Sequence, residues 1–176
     1  MKHEIRLSGE GGQGIILAGV ILAEAAIYDG LNAIQSQSYG PEARGGASKA
    51  EIIISDDEIN YPKVILPDIL LILSVDAYKK YFKNVSKNGI ILIDDSIQVT
   101  ENSEATVVSL PIIKTAELEI KKPITTNIVA LAALQSITNV VSKGSLEKAV
   151  LDRVPRSFLD INKMALEIGF KLFSNI

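Results

Sequence analysis

The sequence predicts an α/β fold, a three-layer α/β/α sandwich around a mostly parallel but mixed sheet. Three features carry that expectation. The runs Ile69-Leu70-Leu71-Ile72-Leu73 and Ile90-Ile91-Leu92-Ile93 are wholly apolar, as strands covered on both faces are. Helical stretches rich in Ala and Leu alternate with such runs, the arrangement that builds parallel sheets. A hairpin-like step leads from the Gly45-Gly46 pair into the run Ile52-Ile53-Ile54, which makes the sheet mixed.

In chain order, residues 4–8 alternate Ile5 and Leu7 with polar neighbours and form a short strand. The glycine cluster at 9–14 ends it. A helix follows from Gln13 to about Asp29, with Gly30 as its stop. Strands are expected at 31–36, 49–55, 68–74, 89–94 and, more weakly, 105–110. A short helix over 77–85 takes Asp76 as its N-cap. The last third is helical: 126–141, then 145–153 opening on a capping serine, then 157–173. In the last of these Phe158, Ile161, Ala165, Ile168 and Leu172 share one face. No repeat, low-complexity tract or linker interrupts the pattern, so residues 1–176 read as one domain.

Composition narrows the chemistry. A chain of 176 residues buries roughly 70% of its extended surface and needs no staples. With no cysteine there is no disulfide, thiolate cluster site or thiol nucleophile, and the single histidine, His3, leaves no Ser-His-Asp triad. His3 reads as a surface side chain. A net charge of −3 is not the footprint of a nucleic-acid binder. The apolar stretch 14–27 is broken by Glu24 and falls short of the ~20 residues a span needs. The uncharged stretch 123–142 carries too many Thr, Asn, Gln and Ser side chains for a lipid-facing helix. No membrane segment or address signal is expected, and the cytoplasm is the default.

Gly9-Glu10-Gly11-Gly12-Gln13-Gly14 satisfies G-x-G-x-x-G between a strand and a helix. In that context glycines allow close backbone approach, and the helix N-terminus offers free N–H groups to a phosphate. A tight strand-to-helix turn packed on its neighbours explains the same pattern. The acidic residue a dinucleotide fold places at the end of the second strand is missing, where the sequence reads Gln35-Ser36-Gln37-Ser38. Glu10 sets a negative charge in the loop, and no Lys-Ser or Lys-Thr follows. A dehydrogenase using NAD(P) is therefore disfavoured; Tyr78-Lys79-Lys80-Tyr81 has suitable residue types, but neighbours on a helix do not face each other.

A second loop, Tyr39-Gly40-Pro41-Glu42-Ala43-Arg44-Gly45-Gly46, holds a Glu42/Arg44 pair between conformationally special residues. Arg44 can fork onto a phosphate or a partner's carboxylate, or onto Glu42 itself. The carboxyl edge of the sheet should gather the glycine loop, residues 37–39, residues 74–76 and Asp94-Asp95-Ser96 into one crevice. The aspartate pair reads as solvated strand-end carboxylates rather than a Mg²⁺ site, and Lys121-Lys122 as a solvated turn. The helices over 13–27 and 123–142 are apolar all round, more than one small domain can hide, which calls for a stable protein partner.

The ordered set Gly9-Glu10-Gly11-Gly12-Gln13-Gly14, Gln37-Ser38-Tyr39-Gly40-Pro41-Glu42-Ala43-Arg44-Gly45-Gly46, Ile59-Asn60-Tyr61-Pro62, Asn127…Ala130-Leu131 and Asp160-Ile161-Asn162…Ala165…Gly169 resembles the gamma subunit of 2-oxoacid:ferredoxin oxidoreductases. It covers nearly the whole chain, and Gln37-Ser38-Tyr39-Gly40-Pro41-Glu42 is closer to the 2-oxoglutarate branch than to the pyruvate branch. The resemblance implies a fold like domain III of pyruvate:ferredoxin oxidoreductase and a cytoplasmic hetero-oligomer that oxidatively decarboxylates a 2-oxoacid to acyl-CoA and CO2, with ferredoxin as acceptor. It implies alpha, beta and ferredoxin-like delta sister subunits, which hold thiamine diphosphate, Mg and iron–sulfur clusters. For this chain it implies assembly and coenzyme A positioning. Gly9, Gly11, Gly12, Gln13 and Gly14 would line the site through backbone N–H groups, and Tyr39, Gly40, Pro41, Glu42, Arg44, Gly45 and Gly46 would stand at the subunit boundary. Alternatives are a pyruvate or indolepyruvate oxidoreductase gamma subunit and, from another class, a free-standing homodimeric nucleotide-binding module.

Overall fold

The computed structural model describes residues 1–37 and 46–175. Among them are six strands: β1 (Lys2–Glu10), β2 (Asn32–Gln37), β3 (Ala47–Ser55), β4 (Ile69–Ile72), β5 (Ile90–Asp94) and β6 (Thr106–Leu110). They form one sheet in the order β2-β3-β1-β4-β5-β6. β1, β4, β5 and β6 pair in parallel, with Leu7 opposite Leu71 and Leu71 opposite Leu92. β3 is antiparallel to both β1 and β2. The sheet is mixed as the sequence predicts.

The α-helices are α1 (Ile15–Tyr28), α2 (Val75–Tyr81), α3 (Ile112–Lys114), α4 (Thr126–Thr138), α5 (Lys143–Arg153) and α6 (Leu159–Leu172). Strand alternation sends Ile5, Leu7, Ile52, Ile54, Leu71 and Leu92 to one face, where they join the core of α1, α4, α5 and α6. Leu70, Ile72, Ile91 and Ile93 point to the other face, against Ala77, Tyr78, Tyr81 and Phe82. The result is the expected three-layer sandwich, with one thick helical layer and one thin one. No helix of the described residues is long and apolar enough to cross a membrane.

Helix ends follow local chemistry, and two predicted caps are corrected. Gly30 (φ +78) stops α1, and the Leu31 N–H returns to the Ala26 carbonyl. The cap of α2 is Ser74, not Asp76; its Oγ accepts from the Ala77 N–H at 3.2 Å. The cap of α5 is Ser142, whose Oγ accepts from the Ser145 N–H at 3.2 Å. A capping oxygen must stand outside the helix to reach the third residue's N–H, so Ser145 receives the cap rather than supplying it. Asn139 (φ +49) ends α4 at Thr138, three residues before the predicted end. The irregular run from α3 through a π-turn (Thr115–Glu119) and a 3-10 turn (Pro123–Thr125) had no sequence counterpart.

Of the two over-apolar helices, one or both of which were expected to meet a partner, the chain itself covers one. Every residue of α4 from Thr126 to Gln135 is buried. Its free face is covered by α6, where a Cβ on Gly169 would lie 2.7 Å from both Ala132 Cβ and the Val129 carbonyl oxygen. α4 is an interior helix and needs no partner. α1 does leave Leu17, Ile27 and Tyr28 exposed. His3 is not a free surface side chain either: its Nδ1 lies 2.7 Å from Asp68 Oδ2, at the amino edge of the sheet.

Candidate functional site

The carboxyl ends of β1, β4 and β5 bring residues 9–14, 74–76 and 94–96 to one edge, as expected. The glycine loop is held there by the Gln13 side chain. Its Oε1 accepts from the Glu10 N–H at 2.7 Å, and its Nε2 donates to the Leu73 carbonyl at 3.0 Å, at the end of β4. The Gln13 N–H turns back onto the Glu10 carbonyl at 3.2 Å. Gln13 therefore braces the loop with both its backbone and its side chain, and its N–H is committed inside the turn.

The glycines divide by surroundings. A Cβ on Gly9 would stand 2.4 Å from Gln13 Oε1, so the brace requires a glycine there. Gly14 is left-handed (φ +72), and a Cβ on it would meet Asn127 Nδ2 at 2.6 Å. Both are packing glycines. Gly11 and Gly12 face open space, with nothing within 4 Å of a Cβ. α1 begins without a side-chain cap, so its first-turn N–H groups are left for solvent or a ligand. The loop can thus present backbone donors at Gly11, Gly12 and the start of α1, beside the exposed Glu10 carboxylate.

Among the described residues, three clefts adjoin this loop. One of about 290 Å³ lies over the sheet edge and is lined by Glu10, Gln13, Ser74, Asp76 and Ser96 among others. Two carboxylates make it a poor place for a phosphate. A wider, open one lies along α1 between Gly12, Leu17 and Arg153, and Arg153 there is already paired with Glu24. The third, about 240 Å³, opens between the loop, the start of α4 and the start of α6, with Gly12, Gly14, Asn127, Phe158 and Asn162 in its walls.

Asp94 corrects the expectation of a solvated pair. It is fully buried; its Oδ1 accepts from the Ser96 N–H and hydroxyl, and its Oδ2 accepts from the Ile113 N–H at 2.8 Å. It stitches the end of β5 to α3, and only Asp95 is exposed. Among the described residues no group of three or more His, Cys, Asp or Glu could hold a metal ion. Of the second predicted loop, Tyr39, Gly40, Pro41, Glu42, Arg44 and Gly45 lie outside the described residues; Gly46 is described and takes φ +125. Asn127 and Asn162 stand out in the sequence only through the family resemblance. For Asn127 the available signal is a carboxamide in the first turn of a helix that carries no charge; Asn162 lies in the charged helix α6, where nothing local marks it.

A family model described as pyruvate ferredoxin/flavodoxin oxidoreductase matches residues 4–172. A Methanocaldococcus jannaschii protein named 2-oxoglutarate synthase subunit KorC is 52% identical over 98% of this chain and 94% of its own length. Its namesake from Methanothermobacter marburgensis is 43% identical over 98% of this chain and 97% of its own. Among solved structures, the gamma subunit of a keto/oxoacid ferredoxin oxidoreductase from Geobacter sulfurreducens matches with a TM-score of 0.92 at 46% identity, covering 99% of this chain and 98% of that one.

Proposed function

This chain belongs to the pyruvate ferredoxin/flavodoxin oxidoreductase family, and from that premise we propose that it is the gamma subunit of a 2-oxoglutarate synthase. The observation that carries the branch is the 52% identity to a 2-oxoglutarate synthase subunit across nearly the whole of both chains. The complex converts 2-oxoglutarate and coenzyme A into succinyl-CoA and CO2 and passes two electrons to ferredoxin. Thiamine diphosphate supplies the stabilised carbanion for decarboxylation, and iron–sulfur clusters carry the electrons. Sister subunits hold these groups, since this chain has no cysteine to ligate a cluster. The chain is not catalytic alone. It works in the cytoplasm as a single gamma domain, residues 1–176, docked on thiamine-binding and ferredoxin-like subunits.

Its own contribution is assembly and the holding of coenzyme A. The N–H groups of Gly11, Gly12 and Gly14, with the uncapped start of α1, face the coenzyme's diphosphate. Gln13 fixes the loop through its brace on Glu10 and Leu73. Glu10 stands beside the loop and limits how closely a phosphate settles, and the 39–46 loop with Arg44 meets the neighbouring subunit.

The test is anaerobic pull-down of the tagged chain from its source cells, followed by dye reduction with several 2-oxoacids and coenzyme A. Co-elution of a thiamine-binding chain and a cluster-bearing chain, with 2-oxoglutarate the best substrate, is the expected result. Preference for pyruvate would move the assignment to another branch of the family. A chain that elutes alone without dye reduction refutes the assembly.

A further inference from the structure

We propose that β6, an outer strand of the sheet, pairs with β6 of a second copy of this chain, antiparallel about a two-fold axis at Val108. β6 closes the strand order β2-β3-β1-β4-β5-β6, and its register against β5 decides which of its backbone groups are used. The Thr106 N–H donates to the Gly89 carbonyl, and the Leu110 carbonyl accepts from the Asp95 N–H, both at 2.9 Å. In a parallel ladder alternate residues turn both backbone groups to the same neighbour, so Thr106, Val108 and Leu110 serve β5. Val107 and Ser109 turn theirs away from it. Both residues are exposed, and no described hydrogen bond outside the ladder engages either one.

An edge with two free N–H and two free carbonyl groups is a template for another strand. Natural sheets blunt such edges with lysine, proline, a bulge or a covering element. Among the described residues none of these protects 105–110. The segment Ala105-Thr106-Val107-Val108-Ser109-Leu110 is uncharged and rich in β-branched residues, its register is continuous, and Pro111 stands only past its end.

The occupant follows from the register. A two-fold axis at Val108 sets Val107 opposite the second copy's Ser109, and Ser109 opposite the second copy's Val107. Each of these pairs exchanges two N–H···O bonds, so every free group on both edges is used at once. Val108 meets its own counterpart in the intervening non-hydrogen-bonded pair, as an antiparallel ladder requires. Shifting the register by one residue faces free groups with spent ones. Shifting it by two sets Val107 opposite Pro111, which has no N–H, or Ser109 opposite Ala105, whose N–H is already held by Ser103 Oγ at 3.1 Å. In the two-fold register no like charges oppose each other across the strands. The contact is isologous, so it consumes both edges and stops at a dimer, joining two six-stranded sheets into one. The inference adds a contact between gamma subunits to the assembly and does not depend on the substrate.

The chain has no cysteine, so single cysteines report the register cleanly. In the full chain under oxidising conditions Val108→Cys should form a disulfide-linked dimer, because non-hydrogen-bonded partners lie about 4.5 Å apart at Cα, within disulfide reach. Val107→Cys, whose counterpart sits two positions away and beyond about 7 Å, should cross-link at least about tenfold more slowly. Sedimentation should show the unsubstituted chain passing from monomer to dimer as concentration rises, with the Val107 and Ser109 amides gaining hydrogen-exchange protection over the same range. Ser109→Pro removes an outward N–H without touching the β5 ladder and should leave the chain monomeric. Val107→Lys changes an exposed side chain and should do the same where proline disturbs folding. In the assembled complex Val108→Cys should give the same cross-link between gamma subunits. A chain that stays monomeric at every concentration, a dimer that persists in both edge variants, or equal cross-linking of the two cysteine variants overturns the proposal. Protection of the two amides that appears only with other subunits bound also overturns it, and assigns the edge to a strand of a sister subunit. None of these readouts depends on activity with 2-oxoglutarate, so the functional reading stands or falls separately.

Discussion

His3 shows how one contact fixes a titration. The hydrogen bond and charge of Asp68 raise its pKa above 6.5, against a smaller lowering from burial and from the chain's amino terminus. The folded value exceeds the unfolded one, so the stabilisation is complete below about pH 6.5 and is lost as pH rises through the folded pKa. As the only histidine in the chain, His3 gives a clean imidazole proton signal. Its titration should lie above 6.5 in the native protein and below it in Asp68→Asn, where burial acts unopposed. A native midpoint at or below 6.5 would refute the pairing. Asp68 Oδ1 also accepts the Glu4 N–H at 2.7 Å, so the variant carries a further, pH-independent loss.

At the scale of elements, Gly169 sets how closely α6 approaches α4. An added methyl would meet the Val129 carbonyl oxygen and the Ala132 Cβ, both at 2.7 Å, and backbone cannot swing aside as a side chain can. Gly169→Ala should therefore destabilise the chain by about 1–3 kcal/mol in urea melts, although alanine is the better helix former. A stabilised variant would mean that the two helices separate freely. The α4–α6 contact also explains what the sequence left hidden. Apolar content marked α4 as unusual, but an all-round apolar helix reads the same whether a partner or a later helix of its own chain covers it. The strands were legible because Ile69 to Leu73 and Ile90 to Ile93 have one physical explanation, burial on both faces. The glycine loop was legible as a strand-to-helix turn at the right edge. The Gln13 brace and the Asn127 contact were not, because each depends on a backbone carbonyl distant in sequence, Leu73 for Gln13 and Gly14 for Asn127.

The whole molecule is lopsided, and that asymmetry has an energetic consequence. Among the described residues α1, α4, α5 and α6 cover one face of the sheet, whereas α2 is the sole α-helix packed on the other. Where the thin layer runs out, over β1 and β3, an ion pair takes the place of apolar packing. Arg6, 4% exposed, holds Glu51 at 2.7 Å, with Lys49 at 3.0 Å from the same carboxylate and the Tyr81 ring 5.3 Å from the Arg6 guanidinium. Charges this enclosed gain little over well-packed apolar groups, because desolvation offsets most of their attraction. Removing one partner is different, since it strands the other. Glu51→Ala should cost about 3–5 kcal/mol in urea unfolding, because the Arg6 guanidinium stays buried with Lys49 as its neighbour. The double replacement Arg6→Met with Glu51→Leu should recover most of that loss. If the double variant is as unstable as Glu51→Ala alone, the pair is a structural keystone in its own right rather than a substitute for the missing helical cover.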